Sequence, residues 1–221
     1  PLAAVLGSAT TLRDLGPALD REARGELLAT VIDEAERLNR FIANLLDMTK
    51  LESGALAPNL APHDLAEIVG TALERAGKIL SGHRVELALG AGLPVLRLDA
   101  VLMEQVLFNL LDNAAKYAPE GSLVRIETWR ESGREGDCVA LRILDEGEGI
   151  PAGDEERIFD TFYRVRKSDR VRAGTGLGLA ISRGFVEAMG GRIAARNRPD
   201  RSGAAFTLTL PVPRAALEDA A

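Results

Sequence analysis

Apolar residues recur at helical spacing through the first quarter of the chain and later fall into shorter, alternating runs. From Pro1 to Leu15 the apolar positions are Leu2, Val5, Leu6, Ala9, Leu12 and Leu15, which predicts a helix ended by Gly16-Pro17. Asp20 is placed to cap a second helix, whose stripe Leu28, Val31, Ala35, Leu38, Ile42, Leu45 and Thr49 alternates by three and four. That spacing is the seam of a coiled coil or four-helix bundle. Phe41 and Leu46 widen the stripe, while Asp33, Glu34, Glu36, Arg37 and Arg40 occupy the other faces. Two such helices joined by a short turn cannot bury both apolar faces alone. The pattern therefore predicts a homodimer through the helical hairpin, half of a dimeric four-helix bundle, with packing against the rest of the chain as the other solution.

Ser53-Gly54 closes the second helix, and Ala55 to Pro62 reads as a linker with two prolines. Asp64 and Glu67 make a capping arrangement for a helix from Leu65 to about Leu80. Arg84–Leu89 alternates as a strand, Val95–Leu98 is a short second one, and Asp99 is a plausible N-cap for a helix running to Tyr117. Leu123–Trp129 and Cys138–Leu144 read as strands joined by a hydrophilic connection over Glu131–Asp137. A helix from about Leu177 to Met189 and strands Arg192–Arg196 and Ala205–Leu210 follow. The expected organisation is a dimerisation hairpin at 1–53, a linker at 54–64, an α/β domain at 65–213 and a tail at 214–221. The class is α+β, a mixed sheet covered on one face by helices.

Composition narrows the picture only a little. The chain has 221 residues, 46% hydrophobic and 27% charged, with ample material for a core. A net charge of −6 and the lack of a basic patch with interleaved aromatics argue against a nucleic-acid partner. With Cys138 as the single cysteine no internal disulfide can form, and its apolar strand setting reads as core. There is no signal peptide and no apolar run long enough to span a bilayer, so no direct membrane contact is expected of this stretch. It starts at Pro1, inside an apolar pattern and without Met, and reads as a piece of something longer.

Candidate chemistry sits on the Asp99–Tyr117 helix and in three motifs after it. Leu102, Val106, Leu110 and Leu111 share one side of that helix; Gln105, Asn109, Asn113, Lys116 and Tyr117 form a polar stripe on another. An Asn oxygen can ligate Mg2+, a Lys ammonium can meet phosphate, and a Tyr ring can cover a base, although a merely solvated face has the same pattern. Asp145-Glu146-Gly147-Glu148-Gly149-Ile150 follows an apolar strand. An ionised Asp there can accept the amino hydrogens of a purine, and glycines let backbone approach a flat base. Phe159 and Phe162, three apart, read as core. Gly174-Thr175-Gly176-Leu177-Gly178-Leu179 opens the next helix and offers N–H groups to phosphate oxygens. Between Arg164 and Gly174, a polar cationic segment suits a lid over phosphates.

The order Asn-x-x-x-Asn with Lys and Tyr, then Asp-x-Gly-x-Gly, Phe-x-x-Phe and Gly-Thr-Gly-Leu-Gly-Leu resembles the catalytic domain of sensor histidine kinases, with its N, G1, F and G2 boxes. Pro1-Leu2-Ala3-Ala4-Val5-Leu6-Gly7 is similar to the stretch after that family's phosphoacceptor histidine, and residues 34–54 to its second dimerisation helix. The wording of Leu45–Gly54 and of Gly82-His83-Arg84-Val85 is similar to Kdp-type, potassium-responsive members. The resemblance implies an ATP-binding α/β sandwich of the GHKL type and Mg2+ ligated by Asn113 with Asn109 in support. Lys116 would meet phosphate, Tyr117 would pack on adenine, and Asp145 would hold the adenine amino group. Gly147, Gly149 and Ile150 would shape the pocket; Gly174, Thr175, Gly176, Leu177, Gly178 and Leu179 would admit the triphosphate.

It also implies a γ-phosphoryl transfer from ATP to a histidine upstream of Pro1, then to an Asp of a response regulator. No catalytic histidine is expected within the chain: His63 and His83 read as surface residues. The whole would be the cytoplasmic portion of a membrane-anchored sensor. Related ATPases place a Glu where Asn109 stands, as base for water, so steady hydrolysis is not expected. Glu146 stands where the family has Asn, and Glu148 where Pro is frequent. A carboxylate beside the nucleotide must point away, pair with a cation or weaken binding, and the last case would leave a nucleotide-binding dimeric module without kinase activity.

Overall fold

The structure, a computed structural model, describes residues 1–133, 136–165 and 175–213. The chain divides after Glu52 into two compact units. The first holds α1 (Leu2–Leu15) and α2 (Arg21–Glu52), joined by a single 3-10 turn at Gly16–Ala18. Asp20 caps α2 as expected, its Oδ1 accepting from Ala23 N at 2.8 Å. The Arg24 guanidinium donates to Gly16 O, and the Pro1 terminus lies 3.5 Å from Glu34, so α1 runs back along α2. Val31 and Leu38 are half-buried, whereas Leu28, Ile32, Ile42, Leu45 and Leu46 stay exposed.

The second unit is built on a five-stranded sheet in the order β2 (Arg84–Leu89), β4 (Leu123–Gly133), β5 (Gly136–Leu144), β7 (Ala204–Pro211), β6 (Arg192–Asn197). β2 runs parallel to β4, and the other pairs are antiparallel. Register puts Ile126, Ile143 and Phe206 side by side, and likewise Thr128, Leu141 and Leu208, all buried. The opposite face carries Glu127, Arg142 and Thr207. Alternation along each strand thus gives one apolar face, covered by α3 (Leu65–Leu80), α4 (Ala100–Tyr117) and α5 (Gly178–Ala188). Ile68, Val69, Ala72 and Ala76 of α3 and Met103, Val106, Leu107, Leu110 and Leu111 of α4 fill the core.

Several sequence expectations are corrected. The stretch read as linker contains β1 (Ala61–His63), which pairs antiparallel with β3 (Leu96–Leu98), and Asp99 Oδ2 accepts from Asn59 N at 2.9 Å. β4 and β5 run on through most of the hydrophilic connection, to Gly133 and from Gly136. Cys138 is half-exposed near that hairpin's end, donating its thiol to Glu131 O, and is not core. His63 and His83 are half-buried; His83 spans Ser122 Oγ and Ala115 O, each at 3.3 Å. Phe159 is core, but Phe162 is 61% exposed with φ +62°. Gly174, residues 166–173 of the cationic segment and the 214–221 tail lie outside the described residues. Among the described residues, no helix is long and apolar enough to cross a membrane.

Candidate functional site

Helix α4 is fixed first. Asp99 Oδ1 accepts from the N–H groups of Val101 and Leu102, and the apolar stripe seats the helix on α3 and the sheet. Seating that stripe leaves Gln105, Asn109, Asn113 and Lys116 half-buried along the helix and Tyr117 exposed at its end. Asn109 donates Nδ2 to Gly178 O at 3.3 Å and to Ser182 Oγ at 3.4 Å, tying the middle of α4 to the start of α5. Lys116 forms an i,i+4 ion pair with Asp112. A partly exposed pair of this kind holds little energy, so the ammonium is available to a stronger anion. Among the described residues, no neighbour hydrogen-bonds the Asn113 side chain.

Asp145 sits where β5 ends, and 5% of its surface remains exposed. Its Oδ1 accepts from Gly147 N at 2.8 Å and from Ala204 N at 3.1 Å. Both donors reach the same oxygen, and Oδ2 receives none from the described residues. Burial pushes this carboxyl above the ordinary aspartate range, against the pull of the two amides and of Arg198. Gly147 packs against the end of α4: a Cβ there would stand 2.8 Å from Tyr117 O. The residue before the glycine answers a question the sequence left open. Glu146 Oε2 accepts from Leu123 N at 2.9 Å, Oε1 accepts from Arg201 at 2.8 Å, and these bonds hold its carboxyl below the usual range. Its charge is pinned and paired. Ile150 is buried; Glu148 is exposed.

The third wall is the turn into α5. Thr175 Oγ1 accepts from Leu177 N at 3.3 Å, Leu177 is fully buried and anchors the helix start, and Gly178 and Leu179 are half-buried. Among the described residues no side chain caps α5, which thus offers its first N–H groups and the positive end of its dipole to an anion. Gly176 has φ +71°, and its carbonyl accepts from Phe162 N at 2.9 Å; a Cβ would meet the Phe162 backbone at 2.9 Å. The Phe-x-x-Phe stretch is thereby packed on the glycine turn, and Arg183 of α5 donates to Phe159 O at 3.3 Å.

These contacts join the elements that carry the sequence-derived candidates at two points: Tyr117 with Gly147, and Asn109 with Gly178. An adenine nucleotide suits the donor set, with one open carboxylate oxygen at one end and uncapped helix N–H groups at the other. Among the described residues no three His, Cys, Asp or Glu cluster as a metal cage. The half-buried Asn113 side chain is a group that could hold a divalent cation here. Sequence reasoning missed Asn197, Arg198, Arg201 and Ser202 of the β6–β7 hairpin, all of which bond the Asp145–Ile150 loop.

Residues 98–214 match the family model of histidine kinase-, DNA gyrase B- and HSP90-like ATPases, and residues 1–54 match the His Kinase A (phospho-acceptor) domain. The sensor protein KdpD of Mycobacterium tuberculosis is 39% identical over 99% of this chain and 25% of its own length. KdpD of Clostridium acetobutylicum is 35% identical over 96% of this chain and 23% of its own. The chain thus spans about a quarter of the length of these curated relatives. Among solved structures, full-length ShkA in complex with AMPPNP is similar over 96% of this chain and 43% of its own, at 27% identity and TM-score 0.71. The mycobacterial sensor histidine kinase MprB is similar over 69% of this chain and 97% of its own, at 28% identity and TM-score 0.59. With a phosphoacceptor-type helical hairpin followed by the three-walled ATPase-type site, the chain belongs to the sensor histidine kinases and is Kdp-like among them.

Proposed function

We propose that this chain binds Mg-ATP and, within its whole protein, transfers the γ-phosphoryl group to a histidine upstream of Pro1 and onward to an Asp of a response regulator. The observation that carries the reading is Asp145: a buried carboxylate with one oxygen saturated by Gly147 and Ala204 and the other left for an adenine amino group. Asn113 would ligate Mg2+, which supplies charge neutralisation between phosphate oxygens when bound. Lys116 and the N–H groups opening α5 would bind phosphate, Tyr117 would cover the base, and Gly147 and Ile150 would line the pocket beneath it. Asn109 would hold α5 in place by its bonds to Gly178 and Ser182. Its amide cannot take a proton from water, so the γ-phosphoryl group is kept for an imidazole nitrogen.

The hairpin α1–α2 would dimerise, and the whole sensor would be membrane-anchored and potassium-responsive, as its Kdp-like character suggests. Glu146 was the feature that favoured a degenerate pocket, and its pairing with Arg201 removes that argument. The test is label transfer from γ-labelled ATP with Mg2+ to this chain and to one extended upstream. Acid-labile, base-stable label on the extended chain only is expected. No label on either, with ATP still bound, would leave a nucleotide-gated binding module.

A further inference from the structure

Four side chains of the β6–β7 hairpin and the amide of Ala204 hydrogen-bond the Asp145–Ile150 loop. Asn197 closes a two-way bond with Ile150: Oδ1 accepts from Ile150 N at 2.6 Å, and Nδ2 donates to Ile150 O at 2.7 Å. Arg198 donates Nη1 to Asp145 O at 3.1 Å, while its Nε and Nη2 hold Asp200 at 3.0 and 2.8 Å; only 8% of its side chain is exposed. Ser202 Oγ donates to Gly147 O at 2.7 Å. Arg201 holds Glu146. Gly203 lies so close that a Cβ would stand 2.1 Å from Asp145 O, and next to it Ala204 donates the amide that saturates Asp145 Oδ1.

The loop's own contacts do not explain this density. Gly147 N alone would hold Asp145 Oδ1 in an Asx turn, leaving the carboxylate able to rotate about its Cβ–Cγ bond. The second amide, from the hairpin, fixes which oxygen faces inward and which faces out. Arg198 and Asn197 then fix the two ends of the loop against the same hairpin, so that the plane of the carboxylate is set from outside the loop.

We infer that the β6–β7 hairpin is the element that aims Asp145, with Asn197 and Arg198 as positioning residues that determine selectivity for a purine bearing a 6-amino group. The inference rests on the adenine reading of Asp145 given above. A hydrogen bond to a carboxylate is worth about 10- to 100-fold in affinity, but only when the acceptor is held in line with the donor. Loosening the hairpin removes that alignment without removing the carboxylate.

The full chain with Mg2+ is titrated with ATP and with purine riboside triphosphate, which lacks only the 6-amino group. The wild-type chain is expected to prefer ATP by about 10- to 100-fold. Asn197→Ala and Arg198→Met are expected to bring that ratio to within about threefold of unity, mainly by weakening ATP. Arg198→Lys, which keeps one donor for Asp145 O, retains an intermediate ratio. Should Arg198→Met fail to fold, Asn197→Ala and the milder Ser202→Ala decide. A wild-type ratio preserved in both, with only the melting temperature lowered, makes the hairpin a mere structural brace and overturns the inference. A wild-type chain that binds both nucleotides equally removes the adenine reading of Asp145 and the inference with it. A wild-type preference that the variants keep removes the inference alone.

Discussion

The two carboxylate oxygens of Asp145 differ in their partners: Oδ1 accepts two amides, and Oδ2 is the one proposed to face the base. Replacing Asp145 by Asn keeps an Oδ1 able to accept from Gly147 and Ala204, so the loop keeps its shape. The outward atom becomes an NH2 donor facing the donor of the base. Asp145→Asn is therefore expected to weaken ATP about 10- to 100-fold by titration calorimetry, and an unchanged affinity would show that this side chain does not read the base. The stability effect has the opposite sign. Burial raises the folded-state pKa of Asp145, so its contribution to stability is fully present below the unfolded carboxyl pKa and lost as pH rises through the raised value. At neutral pH the ionised form opposes folding, and Asp145→Asn should melt no lower than the wild-type chain. The same shift makes ATP affinity fall on acidification at a higher pH than an ordinary carboxylate would give. The place of the acid and its glycines, directly after a strand, was legible in sequence because an apolar run ends just before them. Asn197, Arg198 and Ser202 were not, since Asn197-Arg198-Pro199-Asp200-Arg201-Ser202-Gly203 reads as any polar turn. Only the closing of the sheet carries that turn back to a loop some fifty positions earlier in the chain.

At the scale of elements, the site is the gap where the end of α4, the end of β5 and the start of α5 meet. The side proposed to take phosphate depends on the path of the turn before α5. Gly176 carries φ +71° against the Phe162 backbone, so Gly176→Ala combines left-handed strain with a clash that backbone must relieve. A loss of about 1–3 kcal/mol in unfolding free energy is expected, read by urea titration, with weakened ATP binding. Gly178→Ala is the control, because the nearest atom to a Cβ there is Asn109 Cγ at 3.7 Å and the residue is the first of a helix. That variant should be as stable as wild type or slightly more so, and any loss of ATP affinity it shows is then read at the phosphates. Helices α3, α4 and α5 were legible from period, and the strands from alternation. The three-residue strand Ala61–His63 was not, because two prolines flank or fill it and its partner β3 lies far along the chain. Phe162 misled for a related reason: a Phe three residues from another suggests core, yet its left-handed backbone turns it outward, next to the glycine turn.

For the molecule as a whole, the two units differ in how they bury apolar surface. The second has a core of its own, from Leu65 of α3 to Leu210 of β7. In the first, no residue of α1 or α2 is buried, and Leu28, Ile42, Leu45 and Leu46 stand between 43% and 56% exposed. At roughly 1.5–3 kcal/mol for each large apolar side chain taken out of water, four such residues per copy would hold two hairpins together. The seam spaced by three and four divides its work: Val31 and Leu38 lie half-buried in the hairpin, while Leu28, Ile42 and Leu45 are left for a second copy. Sedimentation should find the chain dimeric. Ile42→Glu with Leu45→Glu should make it monomeric, because charges on the seam would have to be buried unpaired. Since the described residues of the proposed nucleotide site all lie in the second unit, the monomeric variant should bind ATP with wild-type affinity. A double variant that stays dimeric would show that the exposed seam is covered by something other than a second hairpin.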